Sequence, residues 1–384
     1  MKVLYRSLSL WHASHAAESL KPAVREVKLH LDLLPHCNVG SFSLKNEAQW
    51  YVVDSSSVKA LQMDMILPLA YRKQIDTFLE CAFMVRRPLL ELINCIQQMG
   101  SATPVVRYVL YGKHGVGKTT TLCQMVHYGH SQGFIVCHLP FARILMRNFK
   151  ELAASSWKSG RIDMPLDAAA WLQSFKSRNE RLVEALNVKT TKDYVWGARD
   201  SSAAGTSLNS VVDFGIARPK FATDCLCVVL KELKHHACLN RCKVMVTIDS
   251  VNSFWGETKA FRPDKSQALP SELTIVRAFK KLLKNDWING AVIVTVDLRE
   301  HAQNEDVSHM PLFLLGKEGF EWLDPFVPVE IPYYSKKEAH SYLSYLASKH
   351  WLQHESVRTS EGFAQLIYLS GLNPLVLQSV CNFV

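Results

Sequence analysis

With 384 residues, 48% of them hydrophobic and 21% charged, the chain has the composition of a globular protein and the length of more than one structural unit. Disordered and fibrous classes are excluded, and apolar runs such as Ala291–Val296 fall far short of the roughly 18 residues of a membrane-crossing helix, so no membrane span is expected. Lys and Arg number 44 against 35 Asp and Glu, a net charge of +9 with His neutral, which points to an anionic partner, nucleic acid first.

Residues Met1–Ala17 carry Lys2, Arg6, His12 and His15, no acid, and an apolar set of Leu4, Leu8 and Trp11; this pattern resembles a mitochondrial targeting peptide, placed at 1–20. Residues 21–70 mix Pro, Ser and polar residues without a sustained period and read as an extended arm. Over 71–104 the spacing of Phe78, Phe83, Leu89, Leu90, Leu92 and Ile93 predicts two helices, the second opened by Pro88.

From 105 to 334 strand and helix patterns alternate. Strands are predicted at Val105–Tyr111, Phe134–Leu139, Lys243–Ile248 and Ala291–Val296, and helices at Lys118–Tyr128, Thr223–His236 and Leu273–Leu283. Between them, helical stretches are expected around Ala168–Phe175 and Asn179–Leu186, and a flexible loop at Ala198–Asn209. The expected fold class is α/β, a mostly parallel sheet flanked by helices. Residues 335–384 read as a C-terminal helical domain with Trp351, Phe363, Leu366 and Leu377 in its core. The ten Cys are scattered, which fits a reducing compartment. One cluster, Cys225, Cys227, His235, His236, Cys238 and Cys242, lacks two clean C-x-x-C pairs and lies on a helical pattern, so buried or incidental cysteines are expected there and not zinc.

The chemistry-bearing signal is Gly112-Lys113-His114-Gly115-Val116-Gly117-Lys118-Thr119, which matches G-x-x-x-x-G-K-[ST] at every fixed position between a strand and a helix. The glycines let backbone N–H groups turn inward, and the N-terminus of the following helix adds positive potential for an anion. In that reading Lys118 reaches the β and γ phosphates, Thr119 holds Mg²⁺ through its hydroxyl, and Thr120 counts with the nucleotide-binding set. Asp249, ending the apolar strand before it, supplies the second metal-facing carboxylate. The next position is Ser250, where efficient ATPases often carry a water-activating acid; Asn252 is left as a weak candidate for orienting water. Thr295 and Asp297 are candidate phosphate sensors, with turn capping an equal reading for Asp297.

The motifs leave the base open: no [NT]-K-x-D order occurs, and Thr191-Lys192-Asp193-Tyr194 has the wrong one. Met84–Pro88 is a plausible wall of the base pocket, its arginines equally readable as solvated or bound to RNA. Trp50, Tyr51, Trp157, Trp171, Trp196, Tyr333 and Tyr334 have basic neighbours, although core packing is the usual fate of such rings.

Several phrases are not generic to P-loops: CAFMVRRPLLEL at 81–92, YVLYGKHGVGKTTTLCQMVH at 108–127, VLKELK at 229–234, DSVNSFWG at 249–256, NDWING at 285–290, LLGKEGFEWLDPFVP at 314–328 and WLQHE at 351–355. Together they resemble the death-associated protein 3 family of mitochondrial small-subunit ribosomal proteins, from about residue 70 to the end. The resemblance implies an AAA-like P-loop fold, import into the mitochondrion, and small-subunit rRNA and neighbouring ribosomal proteins as partners. It further implies GTP or GDP with Mg²⁺, held by Gly112–Thr119 and faced by Asp249. The missing acid at 250 then looks like a family trait, in keeping with binding and slow or absent GTPase activity. The alternative is an active NTPase switch in signalling, linked to cell death by the family's other name.

Overall fold

The structure, a computed structural model, describes residues 33–34, 38–262, 264–301 and 308–384. The expected targeting peptide and the first part of the expected arm, 21–32, lie outside the described residues.

The arm reading does not hold over 38–70. That stretch forms short 3-10 turns at Val39–Ser41 and Leu44–Asn46, then β1 (Trp50–Val52), α1 (Ser55–Leu61), α2 (Met63–Ile66) and the start of α3 (Leu69–Phe78). Its apolar residues follow no period, yet Tyr51, Val53, Leu61, Met63, Ile66 and Leu67 are all buried, and this burial supplies what periodicity failed to signal. The Asp54 carboxylate accepts the Ser57 N–H at 2.8 Å and starts α1. β1 pairs antiparallel with β2 (Ala82–Met84), Trp50 opposite Met84, and α4 (Arg87–Gln97) follows with Pro88 in its first turn.

The core then runs β3 (Val106–Tyr111), α5 (Lys118–Ser131), β4 (Phe134–Leu139), α6 (Arg143–Arg147), the small hairpin β5 (Ala153–Ala154) and β6 (Ile162–Asp163), and α7 (Pro165–Ala185). A second hairpin, β7 (Tyr194–Val195) and β8 (Ser201–Ser202), leads to α8 (Leu208–Ala217), α9 (Pro219–Cys238), β9 (Lys243–Ile248), α10 (Thr274–Leu282), β10 (Gly290–Thr295), α11 (Pro311–Leu323) and β11 (Val327–Glu330). The two helical stretches expected at 168–186 are one continuous helix, α7. The expected loop at 198–209 holds a strand instead, because the Trp196 indole N–H donates to Ser202 Oγ at 2.9 Å and fixes the hairpin.

Five strands form one parallel sheet in the order β11-β3-β10-β9-β4. β4 and β10 are buried at every position, as expected of parallel strands covered by helices on both faces. One face buries Val109, Ile135, Val246 and Val292 under Trp171, Phe175, Leu226 and Phe279; the other buries Tyr108, Val136, Met245 and Ile293 under Leu89, Leu122 and Met125. Successive residues of each strand thus feed opposite layers, giving a three-layer α/β fold with a parallel sheet between helices. β4 is an edge strand, but α7 lies along it: Asn179 exchanges hydrogen bonds with both Val136 N (2.8 Å) and Val136 O (3.0 Å), and the Trp171 indole donates to His138 O at 2.9 Å.

Residues 334–384 form a separate compact unit of three helices, α12 (Lys336–Ser348), α13 (Ser360–Ser370) and α14 (Pro374–Cys381). Ser335 and Glu338 make a reciprocal capping box at its start, and Phe363, Leu366 and Leu377 are buried within it. No helix among the described residues is long and apolar enough to cross a membrane.

Candidate nucleotide-binding site

Strand β3 delivers the chain to Gly112 at the carboxyl edge of the sheet, and α5 begins at Lys118. The turn between them needs glycine: Gly112 has φ +142° and Gly117 φ +98°, and a Cβ at Gly112 would meet the Ile331 carbonyl oxygen at 2.4 Å. The Lys118 ammonium folds back over the loop, donating to Gly112 O at 2.9 Å and Lys113 O at 3.0 Å. Burial lowers its pKa, opposed by the charges of Asp297 and Asp249.

Across the loop, Asp249 follows β9, adjacent to β10. The Thr119 hydroxyl faces its two oxygens at 3.2 and 3.3 Å, and the Thr295 hydroxyl donates to Oδ1 at 2.5 Å. Burial raises the Asp249 pKa despite these two donors. Thr295 also accepts the Ser250 N–H at 2.8 Å, which holds Ser250 at φ +60° and fixes the bend after the carboxylate. Thr295, expected as a phosphate sensor, therefore orients Asp249. Asn252 is not placed to guide water, since both ends of its amide are taken by the main chain of Asp297, at 2.9 and 3.0 Å. Asp297 in turn accepts from the Arg299 N–H at 3.1 Å and guanidinium at 3.0 Å; burial would raise its pKa, but these bonds and the Arg299 charge hold it below the usual value. His114 lies nearby, its pKa lowered by burial and by Arg299.

The two arginines of Met84–Pro88, the segment expected to wall the base pocket, differ in their surroundings. Arg87 is exposed and pairs with Glu91 at 2.9 Å. Arg86 is buried behind the loop, its guanidinium donating to Val116 O at 2.7 Å and to Pro332 O and Tyr333 O at 3.0 and 3.2 Å. Two further braces were not legible in the motif: the Ile331 carbonyl packed against Gly112, and Lys113 with its ammonium 5.2 Å from the Tyr333 ring centre. Among the other rings, Trp50, Trp171 and Trp196 are buried, whereas Trp157 is 77% exposed. In the Cys/His cluster, Cys225 and Cys242 belong to an apolar layer and His236 Nε2 lies 2.6 Å from Lys189 O.

The donor set suits a magnesium nucleotide. It offers oxygen ligands from a hydroxyl and a buried carboxylate, and an ammonium whose two partners are carbonyls of its own loop.

The family model described as mitochondrial ribosomal death-associated protein 3 matches residues 83–379. The chain belongs to the mitochondrial ribosomal death-associated protein 3 family. Family membership places it with the proteins of the mitochondrial ribosome. It is 40% identical over 318 residues to small ribosomal subunit protein mS29 of Bos taurus, covering 83% of this chain and 80% of the relative. To mS29 of Mus musculus it is 38% identical over 337 residues, 88% of this chain and 85% of the relative. Among solved structures, the Aeropyrum pernix ORC2 protein in ADPNP–ADP complexes is 13% identical with a TM-score of 0.32, covering 77% of this chain and 65% of that one; so loose a superposition adds nothing to the sheet order.

Proposed function

We propose that the chain is a structural component of the mitochondrial small ribosomal subunit, contacting its rRNA and neighbouring proteins, and that it holds GTP or GDP with Mg²⁺ in the Gly112–Thr120 loop with little or no hydrolysis. The small-subunit name of the bovine and murine relatives and the chain's +9 charge support the ribosomal half. The observation that carries the nucleotide half is the buried Asp249 carboxylate, oriented by Thr119 and Thr295 and followed by Ser250 where a water-activating acid would stand.

Bound Mg²⁺ would neutralise phosphate charge. The residues around it then divide the work. Backbone N–H groups of the loop and the first turn of α5 bind phosphate oxygens, Lys118 moves from its loop carbonyls to the phosphates, and Thr119 with Asp249 faces the metal. Among the described residues nothing comparable activates water: Asn252 and Asp297 are bound to each other, and Asp297 to Arg299. A positioned base is worth about 10² to 10⁴ in rate, so binding outlasts turnover. The bound nucleotide then acts as a folding ligand, adding about 2.7 kcal/mol to stability at 100 times its dissociation constant.

The test is to isolate the small subunit from mitochondria, extract its nucleotide and identify it, with Lys118→Ala expressed in parallel. We expect guanine nucleotide in near-unit ratio to this chain, and loss of both nucleotide and subunit incorporation in the variant. A turnover rate near 1 s⁻¹ in purified protein, or adenine nucleotide on a chain that sediments free of ribosomes, would overturn the reading in favour of a signalling NTPase.

A further inference from the structure

The P-loop motif says nothing about what stands behind the loop, and here a side chain from outside the core does. Arg86 lies between β2 and α4, 30 residues before Val116, and its head group is buried. One nitrogen donates to Val116 O at 2.7 Å; another donates to Pro332 O and Tyr333 O at 3.0 and 3.2 Å. A planar guanidinium can hold carbonyls in two directions at once, which an ammonium on a flexible stem cannot do in fixed geometry.

The consequence lies in the peptide unit between Val116 and Gly117. In a trans peptide C=O and N–H point in opposite directions. Fixing the Val116 carbonyl against Arg86 therefore aims the Gly117 N–H away from Arg86, toward the concave side of the loop. Gly117 sits at φ +98°, at the N-cap of α5, where its N–H is one of the donors a helix start leaves without an intrahelical partner. A Cβ at Gly117 would lie 3.7 Å from the Arg86 nitrogen, so the guanidinium is in contact range of that backbone. The other nitrogen ties the same group to the strand exit at 332–333, next to the Ile331 carbonyl that abuts Gly112. Gly112 and Gly117 are thereby both tied to the segment 331–333, one through the Ile331 carbonyl and the other through Arg86.

We infer that Arg86 is a positioning residue for nucleotide binding, which sets the orientation of the Gly117 N–H toward a phosphate oxygen by pinning the Val116 carbonyl from behind. This rests on the proposed nucleotide reading. Arg86 touches no phosphate itself; it acts through the peptide plane, and its charge behind the loop adds to the potential there.

The experiment uses the full chain with Mg²⁺ and three probes: GDP, pyrophosphate and guanosine, each titrated into wild type, Arg86→Met and Arg86→Lys, with melting curves in the absence of ligand. Loss of one aimed donor to a charged oxygen corresponds to roughly a tenfold to hundredfold fall in affinity. We expect GDP and pyrophosphate to weaken by that factor in Arg86→Met and by less in Arg86→Lys, while guanosine, which lacks phosphate, binds both variants as it binds wild type. Arg86→Met binding GDP within twofold of wild type overturns the inference, as does an equal loss for guanosine. If both variants fail to fold, Arg86 is a staple of the fold and the positioning role is likewise overturned. Wild type that binds none of the three probes refutes the nucleotide reading instead, so the two failures are distinguishable.

Discussion

Replacing Gly112 with Ala tests the loop geometry before any ligand is considered. The residue sits at φ +142°, a conformation that costs a side-chain-bearing residue about 1–3 kcal/mol. The new Cβ would also stand 2.4 Å from the Ile331 carbonyl oxygen. That oxygen cannot retreat freely, because the Ile331 N–H is bonded to Tyr111 O at 2.8 Å and the next two carbonyls are held by Arg86. Relieving the overlap therefore loosens either the pairing of β11 on β3 or the Arg86 bridge, worth about another 1–2 kcal/mol. The sum is about 2–5 kcal/mol, which for a domain of this size lowers the melting temperature by roughly 5–15 °C. Gly133→Ala is the control: its φ is +73° but its Cβ would meet nothing within 4 Å, so only the conformational cost of about 1–2 kcal/mol applies. Melting curves of the two variants, followed by near-ultraviolet circular dichroism without nucleotide, decide the matter. A Gly112→Ala melt equal to wild type, or to that of Gly133→Ala, would refute the packing argument.

Three further outcomes follow from the Asp249 surroundings. Thr295→Val keeps the shape but leaves Asp249 short of a donor and the Ser250 N–H without its acceptor, so urea unfolding should show a loss of about 2–4 kcal/mol. Asp249 is a carboxylate whose folded pKa lies above its ordinary 3.8, so folding favours its protonated form; that contribution is present in acid and lost as pH rises through the folded value. Ligand-free Asp249→Asn should accordingly melt no lower than wild type at neutral pH, with any advantage shrinking as pH falls toward about 3.8, and a large neutral-pH destabilisation would contradict this. On the proposed nucleotide reading, a Mg²⁺-dependent rise in melting temperature with GDP should fade on acidification in wild type and be absent in Asp249→Asn at every pH.

The sheet and the loop were readable because their physics is local. Continuous β-branched runs such as Val292–Val294 mark buried parallel strands, and the Gly112–Thr119 spacing is demanded by backbone geometry. Asp249 was readable because a strand of this kind ends in one carboxylate. What escaped was non-local. Arg86 acts across 30 residues to Val116 and 246 to Pro332, and no spacing rule connects such positions. Asn252 looked available for water until its partner 45 residues away came into view. The segment 38–67 hid for a related reason: residues such as Tyr51 and Leu61 are buried by elements distant in sequence, so their pattern carries no period of their own.

The seal on β4 bears on how this chain can be built into a larger particle. An open strand edge is a template onto which another chain can extend the sheet. Here the amide of Asn179 imitates a neighbouring strand at Val136, offering one acceptor and one donor, and Trp171 occupies the His138 carbonyl two residues on. Growth of the sheet past β4 is thereby blocked at its centre. Neighbours on that flank must be met through the side chains of α7 instead of by continuous backbone pairing, which makes docking there a matter of complementary surfaces and keeps this edge from templating another strand.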